Sequence, residues 1–541
     1  MPIANTGRNL KAASSVAPCP CVNMGTMPKR RSPFARRLPL LCAAALLFLN
    51  GLPAADARPA AKAVRASTHA AKHEAAESAP AAPRSGLPAG VTAALRHAHI
   101  PLAATSFYVI KVGAPAPRAS WNAQAPMNPA STMKLVTTFA GLQLLGPAYR
   151  WQTSLYADGQ PGPDGTINGN VYLRGQGDPK LVPEEMAKLV ATARSAGAAT
   201  INGDLVLDRS FFDTAIDNGS TIDGETQRAY NVSPDALLYA FKTLSFTLTP
   251  DPASETVAVS VTPALAQLKL DNRLALSRGK CGDWRARANP LITPQPDGTV
   301  LASFDGSYAA DCGEHVVNIA ALSHNEFAWG GFVAEWQAAG GHFTHLPALR
   351  MGRAPRGAFL LARHYGQPLS EIVRDINKYS NNVMARQLYL TIGAEVDRGG
   401  PASTARSAKV VQRWLSRQGL DMPDLVLDNG SGLSREERIS AYDMSRLLQQ
   451  ALASDVGPVL IDSLPILGVD GTLRNRLTRA GAAGNAYMKT GTLSDVRALA
   501  GYVDALNGER YVVVSYINHA NASAGQQAHD ALLQWVYQGA P

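Results

Sequence analysis

The chain has 541 residues, of which 46% are hydrophobic and 17% charged. This is the composition of a soluble globular protein rather than a membrane or disordered one, and the length predicts two or more domains. The formal charge is +9, but residues 1 to 86 hold 12 Lys/Arg against 3 Asp/Glu and the remainder holds 39 of each sign. The folded part therefore carries no basic bias, and a nucleic-acid partner is not expected.

Taken in chain order, Lys29, Arg30, Arg31, Arg36 and Arg37 precede an apolar run from Leu38 to Leu49, followed by the small residues around Ala55-Asp56-Ala57. These are the three parts of a cleavable secretory signal, so residues 1–57 are predicted to be a signal peptide cut after Ala57, and a periplasmic location follows. Twelve helical residues rise about 18 Å against a hydrocarbon core of ~30 Å, so a permanent membrane span is not expected. Met27 stands directly before this unit and is a candidate for the true start. Residues 58–86, rich in Ala and Pro, read as a tether.

Folded texture begins at Leu87. A helix is predicted over Val91–His97, a strand over Thr105–Val112 and an amphipathic helix over Thr132–Leu145. Residues 165–345 form a block of short β-rich runs, such as Ile201–Leu207, Ser245–Leu248 and Thr256–Val261. Cys19, Cys21 and Cys42 fall in the segment to be removed, which leaves Cys281 and Cys312. In an oxidising compartment this pair predicts a disulfide, the alternative being two separate buried thiols. Neither CxxC spacing nor a His cluster accompanies them, so no metal site is expected. Helical patterns return over Ile372–Ile392, Ser403–Gln418 and Ser440–Ala453. Strands are predicted over Tyr487–Thr490, Ala498–Val503 and Tyr511–Ile517, the last two joined across Asn507-Gly508, before a helix near Ala528–Tyr537.

Three motifs fall in order: Ser131-Thr132-Met133-Lys134, Ser380-Asn381-Asn382 and Lys489-Thr490-Gly491-Thr492. Each alone is weak, since an isolated SxxK is usually a capped helix with a surface lysine and a second SxN occurs at Ser323-His324-Asn325. That second copy runs straight into a helix-like stretch, Glu326–Ala339, inside the β-rich block, so Ser380 and Asn382 are preferred. Together the three match the SxxK, SxN and KTG set of penicillin-binding proteins and serine β-lactamases. At a spacing of three on a helix, Ser131 and Lys134 share a face, and a lysine desolvated or crowded by Lys489 is neutral enough to take the serine proton. The motif lies at the end of its predicted strand, where Gly491 permits a substrate backbone to approach the sheet edge, and Lys489, Thr490 and Thr492 suit a substrate carboxylate.

Beyond the motifs, the chain resembles the penicillin-binding protein 4 type of D-alanyl-D-alanine carboxypeptidase/endopeptidase over nearly everything after residue 87. The resemblance is carried by Arg174-Gly-Gln-Gly-Asp178-Pro179, Ile201-Asn-Gly-Asp-Leu-Val206, Phe212-Asp213, Asp428-Asn-Gly-Ser431-Gly432-Leu-Ser434 and Leu464-Pro465-Ile-Leu-Gly468-Val-Asp470-Gly471-Thr472-Leu473. The long gap between Ser131 and Ser380 also resembles this family, which inserts domains there. It implies a multi-domain α+β fold: a transpeptidase/β-lactamase-like domain with helices on an antiparallel sheet, split as 87–164 and 346–541 by a mainly β insertion, 165–345, of two nested domains.

The resemblance further implies acyl transfer on Ser131 with Lys134 as general base. Ser380 would relay a proton to the leaving amine, Asn382 would orient substrate and Lys134, and Lys489 would hold charge and carboxylate. The N–H groups of Ser131 and Thr492 would form an oxyanion hole. No cofactor is implied; peptidoglycan stem peptides are the implied substrates and β-lactam antibiotics the implied inhibitors. One departure falls in Thr221–Gln227, where Gly224 occupies a position that the family tends to make acidic, with Asp223 and Glu225 beside it. The resemblance implies that this loop senses the diamino acid of the stem peptide. A β-lactamase or esterase of the same fold, and a cell-wall-binding scaffold without activity, are the alternatives.

Overall fold

The computed structural model describes residues 86–216 and 222–541; the predicted signal peptide, the tether up to residue 85 and Thr221 of the departing loop lie outside them. Strands Thr105–Lys111, Ala119–Trp121, Ala486–Leu493, Val496–Asp504 and Arg510–Asn518 form one antiparallel sheet. Arg510–Asn518 and Thr105–Lys111 lie inside it, and Ala486–Leu493 is an edge. The sequence Arg-Tyr-Val-Val-Val-Ser-Tyr-Ile-Asn of Arg510–Asn518 is apolar on both faces because both are covered. Val512, Val514 and Tyr516 enter a core with a helical layer, while Tyr511, Val513 and Ile517 pack towards Ala89–His97 and Gln526–Tyr537. The expected hairpin turn is present, with Gly508 at φ +80°.

The helical layer contains Lys134–Leu145, Leu369–Tyr379, Asn382–Val396, Thr404–Arg417 and Ala441–Ala453. Lys134–Leu145 differs from the amphipathic helix expected: every residue from Lys134 to Leu142 is buried. Its polar groups are satisfied internally, Thr137 donating to the Gly430 carbonyl at 2.6 Å and Thr138 to the Lys134 carbonyl at 2.7 Å. Such a helix belongs in the core rather than at a surface. The helical pattern over Ile372–Ile392 is likewise two helices. The first stops at Ser380, in left-handed backbone at φ +56°, and Asn381 opens the second by accepting the Met384 N–H at 3.1 Å.

A second five-stranded sheet has the order Leu349–Met351, Leu205–Asp208, Val171–Gly175, Arg150–Ala157, Phe359–Pro368. By hydrogen bonding, Arg150–Ala157 and Phe359–Pro368 thus share a sheet with Val171–Gly175 and Leu205–Asp208. The run Ile201–Leu207 is not one strand, because it breaks at Gly203 into Thr200–Asn202 and Leu205–Asp208 in different sheets. Gly203 is packed so closely that a β-carbon there would stand 2.0 Å from the Gly169 carbonyl oxygen. Three further three-stranded sheets complete the β-rich region. It also holds helices Pro183–Ser195, started by a proline and two glutamates, and His324–Ala338. Cys281 and Cys312 are joined as a disulfide beside Trp284 and Tyr308.

Leu388 of the Asn382–Val396 helix is fully buried against Gly141 of the Lys134–Leu145 helix, where an added β-carbon would come within 2.9 Å of it. Leu388→Ala should open a cavity between the helices carrying two of the motifs and lower stability by about 2–5 kcal/mol, measured as a fall in the thermal unfolding midpoint.

Candidate active site

The three motifs meet where the nucleophile turn touches the sheet edge. Ser131 lies in the 3-10 turn Ala130–Met133, which feeds directly into the Lys134–Leu145 helix. The residue before it, Ala130, has φ +42°, a conformation costly for alanine that its surroundings must hold. Asn128 does this: its Oδ1 accepts the Ala130 N–H at 2.9 Å, its Nδ2 donates to the Ser434 carbonyl at 2.9 Å, and its backbone exchanges two hydrogen bonds with the Asn518 side chain. The strand, the nucleophile turn and the loop after Asp428 are thereby locked together. Asn128 stands outside the SxxK motif, so motif reading passed over it.

Lys134 has no exposed surface. Its Nζ lies 3.0 Å from Ser131 Oγ and 2.7 Å from Asn382 Oδ1, and donates also to the Ser431 carbonyl. Burial pushes this ammonium well below the ordinary lysine range, the nearby Lys489 charge pushes the same way, and Glu437 pulls it back. Lys489 is equally buried, and desolvation lowers it to about 7. Its Nζ lies 2.9 Å from Ser380 Oγ and 2.8 Å from the Thr490 carbonyl. The candidate residues thus form two hydrogen-bonded groups: Lys134 with Ser131 and Asn382, and Lys489 with Ser380.

The KTG segment lies towards the end of its strand, as expected, and the strand runs on to Leu493 rather than stopping at Thr490. Ala486–Leu493 pairs with Val496–Asp504 through Leu493↔Val496, so the register holds through the motif up to a tight Ser494-Asp495 turn. Thr492 is exposed on this edge, and Thr490 Oγ1 meets Thr472 Oγ1 at 2.9 Å. Gly491 has a role the sequence did not reveal. It is buried against the nucleophile turn, where a β-carbon would stand 2.8 Å from the Pro129 carbonyl oxygen.

The two family signatures from the C-terminal half support the same site. Gly432 faces the nucleophile turn, with a hypothetical β-carbon 1.9 Å from the Ala130 oxygen and 2.6 Å from the Ser131 nitrogen. In the other, Asp470 accepts from Lys378 Nζ at 2.6 Å and from the Ile466 N–H at 2.8 Å. Lys378 also donates to the Leu464 carbonyl at 2.6 Å, fixing the last turn before Ser380. The second SxN is separate from all of this: Ser323 and Glu326 form a reciprocal capping box on His324–Ala338, and Asn325 accepts from Arg209. In the departing loop, Asp223 accepts from Asn231 Nδ2 at 2.7 Å and from the Tyr230 hydroxyl, while Glu225 is exposed and 3.6 Å from Arg228. Asn382 Nδ2 donates to the Tyr230 carbonyl at 3.2 Å, which ties this loop to the second motif.

An antiparallel sheet between helical layers, with a buried lysine against a serine at its edge, is the fold of penicillin-binding protein 4 and the β-lactamases. The chain belongs to the D-Ala-D-Ala carboxypeptidase 3 (S13) family, whose model matches residues 87–538, and it is a serine-type peptidase. It is 32% identical over 408 residues to a D-alanyl-D-alanine carboxypeptidase of Actinomadura sp. (strain R39), covering 73% of each chain. It is 27% identical over 418 residues to D-alanyl-D-alanine carboxypeptidase DacB of Haemophilus influenzae, covering 74% of this chain and 82% of that one. The crystal structure of penicillin binding protein 4 (dacB) from Haemophilus influenzae superposes with a TM-score of 0.67 at 23% identity, over 83% of this chain and 99% of that one. A second crystal structure of that protein, complexed with a novel β-lactam, superposes with a TM-score of 0.64 at 23% identity over the same shares.

Gly432 sits at φ +78° as well as against Ala130 and Ser131. Gly432→Ala should therefore displace the nucleophile turn, costing about 1–3 kcal/mol in thermal unfolding and lowering D-alanine release from a D-Ala-D-Ala peptide.

Proposed function

We propose that this protein is an exported, periplasmic D-Ala-D-Ala carboxypeptidase, also acting as an endopeptidase, that trims or cleaves peptidoglycan stem peptides through an acyl-enzyme on Ser131 and is acylated by β-lactams. The observation that carries the proposal is Lys134 Nζ, fully buried and 3.0 Å from Ser131 Oγ. The likeness to enzymes named D-alanyl-D-alanine carboxypeptidase supports the substrate class. The β-lactam complex of a protein with this fold supports the inhibitor class. Among the described residues no helix is long and apolar enough to cross a membrane. Export rests on the signal sequence alone. The catalytic domain is proposed to be split by the insertion, with its seam at Leu145 and Leu369, and the disulfide to form after export.

In this mechanism Ser131 Oγ attacks the carbonyl of the penultimate D-alanine while its proton passes to neutral Lys134. Backbone N–H groups of Ser131 and Thr492 receive the developing oxyanion. The C–N bond breaks as Ser380 passes a proton to the departing amine and is reprotonated at the expense of Lys134, which is thereby neutral again. Water then attacks the ester with Lys134 again as base, releasing the shortened peptide and restoring the Ser131 hydroxyl. Asn382 holds Lys134 and the substrate amide, while Lys489, Thr490 and Thr492 receive the terminal carboxylate. Gly491 contributes by letting the strand close on the nucleophile turn. The preference for a diamino acid is assigned to the Asp223–Gln227 loop.

Intact-mass spectrometry of the mature chain after benzylpenicillin should show one penicilloyl adduct, and none for Ser131→Ala; an unmodified native chain without drug turnover would overturn the reading. Lys134→Met should slow acylation by about 10²–10⁴-fold. For native enzyme, kcat/KM on a D-Ala-D-Ala peptide should rise with pH as Lys134 loses its proton and fall again as Lys489 loses the charge that binds carboxylate. A flat profile from pH 5 to 10 would contradict these roles.

A further inference from the structure

Outside the three motifs, one buried acid faces the reacting pair. Glu437 has no exposed surface. Its Oε1 accepts the backbone N–H groups of Gly430 at 2.7 Å, Asn429 at 3.1 Å and Asp428 at 3.4 Å, and its Oε2 accepts that of Gly432 at 2.8 Å. Burial pushes this carboxyl up to about 7, but both of its oxygens are occupied by N–H donors, and this cradle suits the ionised carboxylate rather than a carboxyl that needs an acceptor for its own proton. A residue serving only to fill space would not need a carboxylate, and a neutral amide side chain has one oxygen with which to accept four donors.

The loop wrapped round this carboxylate touches the reacting groups twice. The Ser431 carbonyl accepts from Lys134 Nζ, and Gly432 is pressed against the Ala130 oxygen and the Ser131 nitrogen. Titratable groups reach this cluster from every packed element: Lys134 from the nucleophile helix, Lys489 from the edge strand, Asp428 from the loop itself and Tyr389 from the Asn382–Val396 helix. Tyr389 packs its ring near Gly430, and its hydroxyl is buried without a hydrogen-bond partner among the described residues. Its burial and the two neighbouring acids oppose a phenolate there. Glu437 is thus the buried acid that counters the effect of Lys489 on Lys134.

We propose that Glu437 is a positioning residue for acylation: it fixes the loop whose carbonyl holds Lys134 Nζ, and its negative charge sets the pH at which Lys134 becomes a base. This rests on the acyl-enzyme on Ser131 proposed above. Removing the charge makes protonated Lys134 less stable, so the base becomes available at lower pH.

The test is the benzylpenicillin acylation rate of the mature chain against pH for the native protein, Glu437→Gln and Glu437→Asp, with thermal unfolding of each. Glu437→Gln should move the acidic limb down by about one pH unit, a tenfold gain in the neutral fraction of Lys134 on that limb. Glu437→Asp should keep the limb in place and lower the plateau, because the charge remains and the shorter side chain loosens the loop. A Glu437→Gln limb that coincides with the native one overturns the proposal, as does a Glu437→Asp limb displaced towards lower pH, which decides the matter even if the Gln variant does not fold. Ser131→Ala in the same experiment separates the two levels: an adduct on that variant would defeat the acyl-enzyme reading itself, whatever the limbs do.

Discussion

Lys134 carries an ammonium into a place with no solvent, and the surrounding structure answers to that constraint. An isolated charge there would be prohibitively costly, so the site must supply acceptors, lower the tendency to hold a proton, or both. It supplies Asn382 Oδ1, Ser131 Oγ and the Ser431 carbonyl as partners, while burial and Lys489 push the amine towards neutrality. The same burial makes a lysine useful as a base, since an exposed ammonium stays protonated at neutral pH.

Each partner of Lys134 comes from a different part of the chain, and each is held by its own local device. Asn382 is the first residue of a helix capped by Asn381, directly after the left-handed Ser380. The break between two helices is therefore what turns Ser380 towards Lys489 and Asn382 towards Lys134. Lys378 and Asp470 secure the last turn before that break, and Gly471 permits the close packing there, since a β-carbon would stand 2.6 Å from the Lys378 oxygen. On the other side, Glu437 closes the loop that offers the Ser431 carbonyl. Left-handed backbone occurs at Ala130, next to Ser131, and at Ser380 itself, as well as at positions away from the site.

Arg150–Ala157 follows the Lys134–Leu145 helix and pairs with Phe359–Pro368, which leads into the helix that ends at Ser380. Gln387, buried in the Asn382–Val396 helix, accepts the Asp235 N–H and donates to the Asp235 carbonyl, and Tyr230 accepts from Asn382. Contacts from the inserted region thus end on the helix that carries the second motif. Any substrate preference read by the Asp223–Gln227 loop has a short path to Asn382.

The sequence by itself determined the approximate place of many elements, though not the exact breaks at Gly203 and Ser380, together with the three motifs in order and the family resemblance, because periodicity, turn residues and short signatures are local properties of the chain. Ser131 and Lys134 were legible as a pair since a helix places residues three apart on one face. The hairpin at Asn507-Gly508 was legible since few residues accept that turn. Tertiary structure decided what depends on partners distant in the chain. An apolar helix reads the same whether one face or all of it is covered, so the complete burial of Lys134–Leu142 needed the sheet and the neighbouring helices. Gly491 and Gly432 could be read as flexible, but their close approach to Pro129, Ala130 and Ser131 exists only after the ends of the chain meet. Asn128 and Glu437 belong to no motif spacing, and they matter because folding encloses their polar atoms among backbone groups that water can no longer satisfy.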